Sequence, residues 1–144
     1  MMSHPLLRFL LLGLFAATLA AGAAAQTQGI AIELNRAQSE PGGGCQGAFV
    51  IQNHTGQTLD RFNIDIYVFN AEGKISDRLI VDLAPLHGGR TRIASFGLSP
   101  QPCAAISKLV VHDIPECRSQ ATQSQLDCIH DLSVSSRSAI GLSK

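Results

Sequence analysis

The sequence predicts an all-β sandwich on three observations. Apolar residues recur with period 2, most clearly where Phe62, Ile64, Ile66 and Val68 alternate with Asn63, Asp65, Tyr67 and Phe69, the pattern of a strand with one buried face. Clusters of Gly, Pro, Asn and Asp interrupt such runs at short intervals, as turns between strands require. After the first 25 residues no long stretch carries the 3.6-residue period of an amphipathic helix.

Residues 1–25 read as a cleaved signal peptide. Arg8 precedes an apolar run, FLLLGLFAATLAA at 9–21, and Ala23-Ala24-Ala25 supplies the small residues a signal peptidase needs, leaving Gln26 as the new amino terminus. There is no twin arginine, and no cysteine follows the run, so the general secretory route is expected without a lipid anchor. Residues 26–144 are then expected to form a single domain. No later segment approaches the roughly 20 apolar residues of a spanning helix. Eleven basic side chains balance eleven acidic ones, and losing Arg8 tips the remainder slightly acidic, so no electrostatic footprint for nucleic acid or an anionic membrane is expected.

Each strand has its own signal. Ile30, Ile32 and Leu34 share one face of a first strand, which Pro41-Gly42-Gly43-Gly44 ends. A second runs over Cys45–Gln52, with Phe49 and Ile51 turned to the presumed core together with Cys45, before the turn at 53–57. Phe62–Phe69 is the clearest strand. Asn70-Ala71-Glu72-Gly73-Lys74 suits a hairpin loop, Gly73 being free to adopt a left-handed conformation. Leu79, Val81 and Leu83 mark the return strand, stopped by Pro85 and Gly88-Gly89. A less regular strand is expected near 90–98. Leu109-Val110-Val111, within 106–114, reads as a buried run. Residues 116–128 are polar, with room for one helical turn, and 130–136 form a last short strand. The serine-rich end is expected to fray.

All four cysteines, Cys45, Cys103, Cys117 and Cys128, follow the expected cleavage point. An even count in an exported chain points to disulfides. Three connectivities are open; Cys117–Cys128 closing a short polar loop, with Cys45–Cys103 joining distant parts of the chain, is the favoured one. Zinc is the competing use, but there is no Cys-x-x-Cys or His-x-x-x-His pair. Short strands, frequent turns and two staples indicate an immunoglobulin-like β-sandwich of about seven short strands, with a small barrel as the alternative. The tryptophan that packs on the disulfide of true immunoglobulin domains is missing.

The run FNIDIYVFNAEGKI at 62–75, followed by LAPLHGGRT at 83–91, resembles small exported β-sandwich domains in which an alternating strand ends in an aromatic and a small polar turn. The match is to FxLYD-type immunoglobulin-like modules, and more closely to uncharacterised secreted proteobacterial proteins that pair such a module with four cysteines. It spans residues 45–97, with Asn70 standing where the pattern usually has aspartate. The resemblance implies a sandwich fold and an extracytoplasmic location, periplasmic or secreted, and carries no catalytic residue.

The candidate chemistry is thin. His112-Asp113 and His130-Asp131 are adjacent pairs, and neighbours on a strand point to opposite faces, so neither is expected to act as an acid–base pair. His112 and His130 could approach and bind a metal only if their segments were neighbouring strands. His54 and His87 fall in predicted turns. No Gly-x-Ser-x-Gly elbow frames Ser133, Ser135 or Ser136. Both methionines, Met1 and Met2, lie in the leader, which removes methionine-based copper transfer. Gly42-Gly43-Gly44 lacks the Lys-Ser/Thr of a phosphate loop, and Asn53-His54-Thr55 matches a glycosylation sequon of a kind frequent by chance. No metal, cofactor or catalytic residue is expected.

Tyr67 and Phe69 remain, on the face opposite Phe62, Ile64 and Ile66. Exposed, they would form a partner-binding patch; covered by the 116–128 loop, they would be core. The expected function is an exported noncatalytic binding or assembly module of the bacterial cell envelope, its partner another envelope protein. An accessory domain serving a secretion system or enzyme is the alternative, ahead of a small metal-binding protein or hydrolase.

Overall fold

A computed structural model describes residues 28–144; residues 1–25, expected from the sequence to be a signal peptide, lie outside them. Eight strands form two four-stranded sheets. They are β1 (Ile30–Ser39), β2 (Cys45–Asn53), β3 (Leu59–Asn70), β4 (Ile75–Asp82), β5 (Thr91–Ser99), β6 (Ile106–Ser119), β7 (Ser133–Ser136) and β8 (Gly141–Ser143). One sheet has the order β5-β2-β1-β7 and the other β4-β3-β6-β8. β1, β2 and β5 against β3, β4 and β6 is the partition of strands A, B and E against C, C′ and F in an immunoglobulin-like sandwich. The departure is terminal: β7 joins β1, and β8 joins β6, both in parallel.

The core follows from the alternation. Ile30, Ile32 and Leu34 of β1, Phe49 and Ile51 of β2, and Leu98 of β5 face Phe62, Ile64, Ile66 and Val68 of β3 and Leu109 and Val111 of β6. Each such side chain contributes on the order of 1.5–3 kcal/mol of burial. Phe96 of β5 stacks on Phe49 with ring centroids 4.6 Å apart. The β3–β4 hairpin closes through Asn70, whose Oδ1 accepts from the Glu72 and Lys74 backbone N–H groups. Gly73 sits at φ +76°, where a side chain would be strained.

Both favoured disulfides are present. Cys45–Cys103 joins the start of β2 to the single 3₁₀ turn, Cys103–Ala105, that leads into β6, and Cys117–Cys128 ties the end of β6 to the following loop. Bonded thiols fit an oxidising, exported environment.

Several boundaries differ from expectation. β4 starts at Ile75, directly after the hairpin turn. Cys117 belongs to β6, which continues to Ser119, so the polar loop begins later than 116. That loop is turns with one bridge, Arg118 to Gln125, and holds no helical turn. The serine-rich end does not fray. Ile140 is buried, and Gly141, Leu142 and Ser143 pair with Lys108, Leu109 and Val110. Two apolar residues two apart suffice to dock a three-residue strand on an otherwise open edge.

Candidate functional site: the outer face of the β4-β3-β6 sheet

The period that buries Phe62, Ile64 and Ile66 turns Asn63, Asp65, Tyr67 and Phe69 outward. Antiparallel pairing sets Ile80 opposite Asp65 and Arg78 opposite Tyr67 on β4. On β6 it sets Val110 opposite Tyr67, Lys108 opposite Phe69 and Glu116 opposite Asn63. Directly opposed side chains interact across a sheet, and here they build one connected surface.

Its centre is Asp65. The Arg78 guanidinium donates in bidentate fashion, Nε to Oδ1 and Nη2 to Oδ2, both at 2.9 Å. Such paired, charge-assisted bonds are the strong form of the contact. They hold the Asp65 carboxyl below the usual aspartate range, against the opposing effect of burial, and push Arg78 up. Asp65 is 5 % exposed while Arg78 keeps 54 % of its side chain in water, so the pair is sealed from one side only. The same guanidinium carbon lies 5.3 Å from the centre of the Tyr67 ring, a cation–π distance. His112 meets that ring edge-on with centroids 5.4 Å apart, and Lys108 Nζ sits 4.8 Å over Phe69. Tyr67 and Phe69 are thus half-buried by side chains of their own face. Beside them Ile80 is 61 % and Ile75 56 % exposed.

The two residues singled out in the sequence, Tyr67 and Phe69, therefore do share a face, joined by Arg78, His112, Lys108 and Ile80, which sequence reasoning missed. The missing signal was register. A bulge between Val68 and Phe69 shifts β4 against β3, and others between Asn63 and Ile66 shift β6, so the partners could not be counted off from the turn. The same irregularity puts His112 and Asp113 both at the exposed surface of β6, against the alternation expected of neighbours.

His130 and Asp131 correct the same expectation differently. They lie in a turn before β7, where His130 Nε2 comes within 3.9 Å of Asp131 Oδ1, both well exposed. His112 packs on Tyr67, whereas the His130 carbonyl accepts from Lys144 Nζ at the chain end. Among the described residues no three His, Cys, Asp or Glu side chains gather as metal ligands. His54 and His87 are exposed in loops. Ser136 Oγ donates to the Ile140 carbonyl, capping the turn into β8. Asn53 is buried at 2 % exposure, its Nδ2 donating to the carbonyls of Gln57 and Leu86. A sequon asparagine so engaged has no free amide to carry a glycan. Compared with known proteins, the chain matches no family model, no curated protein and no solved structure.

Proposed function

We propose that the chain is an exported, noncatalytic binding or assembly module of the cell envelope, periplasmic or secreted, that engages another envelope protein through the Tyr67–Phe69 face. The observation that carries the reading is two exposed isoleucines, Ile75 and Ile80, beside two aromatic rings held in place by Arg78 and Lys108. Aromatic and arginine side chains around an apolar centre are the composition of interface cores. Rings already pinned by cations and a histidine lose little further freedom on binding, which favours affinity. The resemblance of residues 62–75 and 83–91 to secreted FxLYD-type modules implies the same extracytoplasmic location.

The test compares recovery of a partner from envelope extract by the wild-type chain and by Ile80→Asp and Tyr67→Ser. Ile80 is mostly solvated, but Ile80→Asp sets a carboxylate opposite Asp65 and lowers strand propensity, so stability should fall by about 1 kcal/mol, while recovery should fall far more than that loss accounts for. Tyr67→Ser should lower recovery too, with some loss of stability as the Arg78 and His112 contacts go. Equal recovery by wild type and Ile80→Asp overturns the assignment, as does a turnover that disappears on replacing His112.

A further inference from the structure

β5 is an edge strand of nine residues, Thr91–Ser99, bonded on one side to β2. Among the described residues, no other strand pairs with its far side. Long edges invite pairing with another chain and are ordinarily blunted by lysine, proline or a bulge within the strand. β5 has no lysine and no proline, and its one register shift lies at its end, opposite Cys45 and Gln46. Its outward residues are Ile93, 64 % exposed, then Ser95 and Gly97. Its inward side carries Ala94 and Phe96, only half-buried, as are Leu79 and Val81 on the facing edge strand β4. The sandwich is therefore left open along the β4/β5 edge, where a cleft of about 290 Å³ is lined by Asp77, Leu79, Leu98 and Ser99.

We propose that a second copy of this chain closes that edge, β5 pairing antiparallel with β5 about a two-fold axis through Ser95. This register spans Thr91–Ser99, pairs the run from Ile93 to Gly97 in regular alternation short of the irregularity at Leu98, and sets Ile93 of each copy against Gly97 of the other. A Cβ at Gly97 would meet nothing within 4 Å, so the position offers open room to an isoleucine from across the seam. It also sets Arg92 of one copy opposite Leu98 of the other, beside the cleft. There the Asp77 carboxylate accepts from the Ser76 and Ser99 hydroxyls, and among the described residues no cation pairs with it. Arg92 in turn makes one long bond of 3.4 Å, to the Pro85 carbonyl. The two unmatched charges are complementary across the axis. An isologous contact of this kind is self-limiting, giving one continuous sheet across the dimer and no exposed β5 edge.

Sedimentation equilibrium of the oxidised chain over a concentration series should give the mass of two chains. Ile93→Lys should give one chain with an unchanged far-ultraviolet circular dichroism spectrum. Gly97→Lys should do the same, since the monomer has open space for it and a lysine on an edge strand opposes pairing with another chain. Arg92→Glu should weaken association by about tenfold or more, and Arg92→Glu combined with Asp77→Lys should restore it. Ser95→Cys should yield a covalent dimer on oxidation. Thr91→Cys should not, because its two copies lie roughly 27 Å apart in this register. A wild-type chain that stays monomeric overturns the proposal, including the case in which β5 accepts a strand from a different protein. So does a dimer that survives both Ile93→Lys and Gly97→Lys, or Thr91→Cys cross-linking as readily as Ser95→Cys.

Discussion

Asn53 shows how one side chain can organise a loop that composition marks only as a turn. Its amide donates to Gln57 and Leu86 and its Oδ1 accepts from the Thr55 N–H and hydroxyl, which uses the whole bonding capacity of an asparagine. Asn53→Ala would remove all four of these bonds, leaving the Leu86 carbonyl to the Leu59 N–H alone and the Gln57 carbonyl to the Thr55 hydroxyl, at a cost of about 1–3 kcal/mol, measurable as a shift in the urea midpoint. Asn53→Asp, which keeps the acceptors and loses the donors, should lose stability as well. Asp65 makes a prediction in pH. Its folded carboxyl titrates below its unfolded value because Arg78 stabilises the charged form. The pair therefore stabilises the fold fully above the ordinary aspartate pKa of about 3.9, and that contribution disappears as pH falls through the lower, folded value. Urea unfolding from pH 7 down to pH 3 should show Asp65→Asn less stable than wild type at neutral pH, with a shallower acid decline. The Asp60 carboxyl, held by Arg118, and the Glu33 carboxyl, held by Asn35 and Arg137, are lowered in the same way, but both are more open to water and should add less.

At the scale of elements, legibility tracked regularity. β3 could be read because its alternation persists from Phe62 to Val68. β6 could be read only in its middle, since bulges place exposed residues two at a time, Ser107-Lys108, His112-Asp113 and Pro115-Glu116. A period-2 reading loses phase there, and so Cys117 was expected in a loop. β8 is too short to show any period, and its serines suggested a loose end. What binds it is Ile140, 2 % exposed, and the half-buried Leu142. Removing residues 139–144 should therefore destabilise the fold and expose the edge of β6. Ile140→Ala alone should cost about 2–5 kcal/mol, read as a lower denaturant midpoint with the cooperativity of unfolding retained. A midpoint unchanged by either variant would return this segment to the frayed end that its composition suggests.

For the whole molecule, connectivity was more legible than architecture. Loop length alone favoured Cys117–Cys128 and, by remainder, Cys45–Cys103. Which strands share a sheet depends on non-local pairing, such as β2 with β5 and β3 with β6, that no local pattern encodes. The two bridges constrain the unfolded chain unequally, since their sequence separations are 58 and 11. Loop-closure entropy then assigns about 4 kcal/mol to Cys45–Cys103 and about 3 kcal/mol to Cys117–Cys128. Replacing each pair by alanine avoids burying a hydroxyl where Cys45 and Cys117 now pack against the core. Under identical conditions the Cys45→Ala, Cys103→Ala chain should unfold at the lower urea concentration. Its longer bridge also joins the β5-β2-β1-β7 sheet to the turn that feeds the other sheet, so both effects act in one direction. Cys117 is fully buried at the end of β6, and a larger loss from the shorter bridge would mean that packing at that end outweighs the entropy of the longer loop.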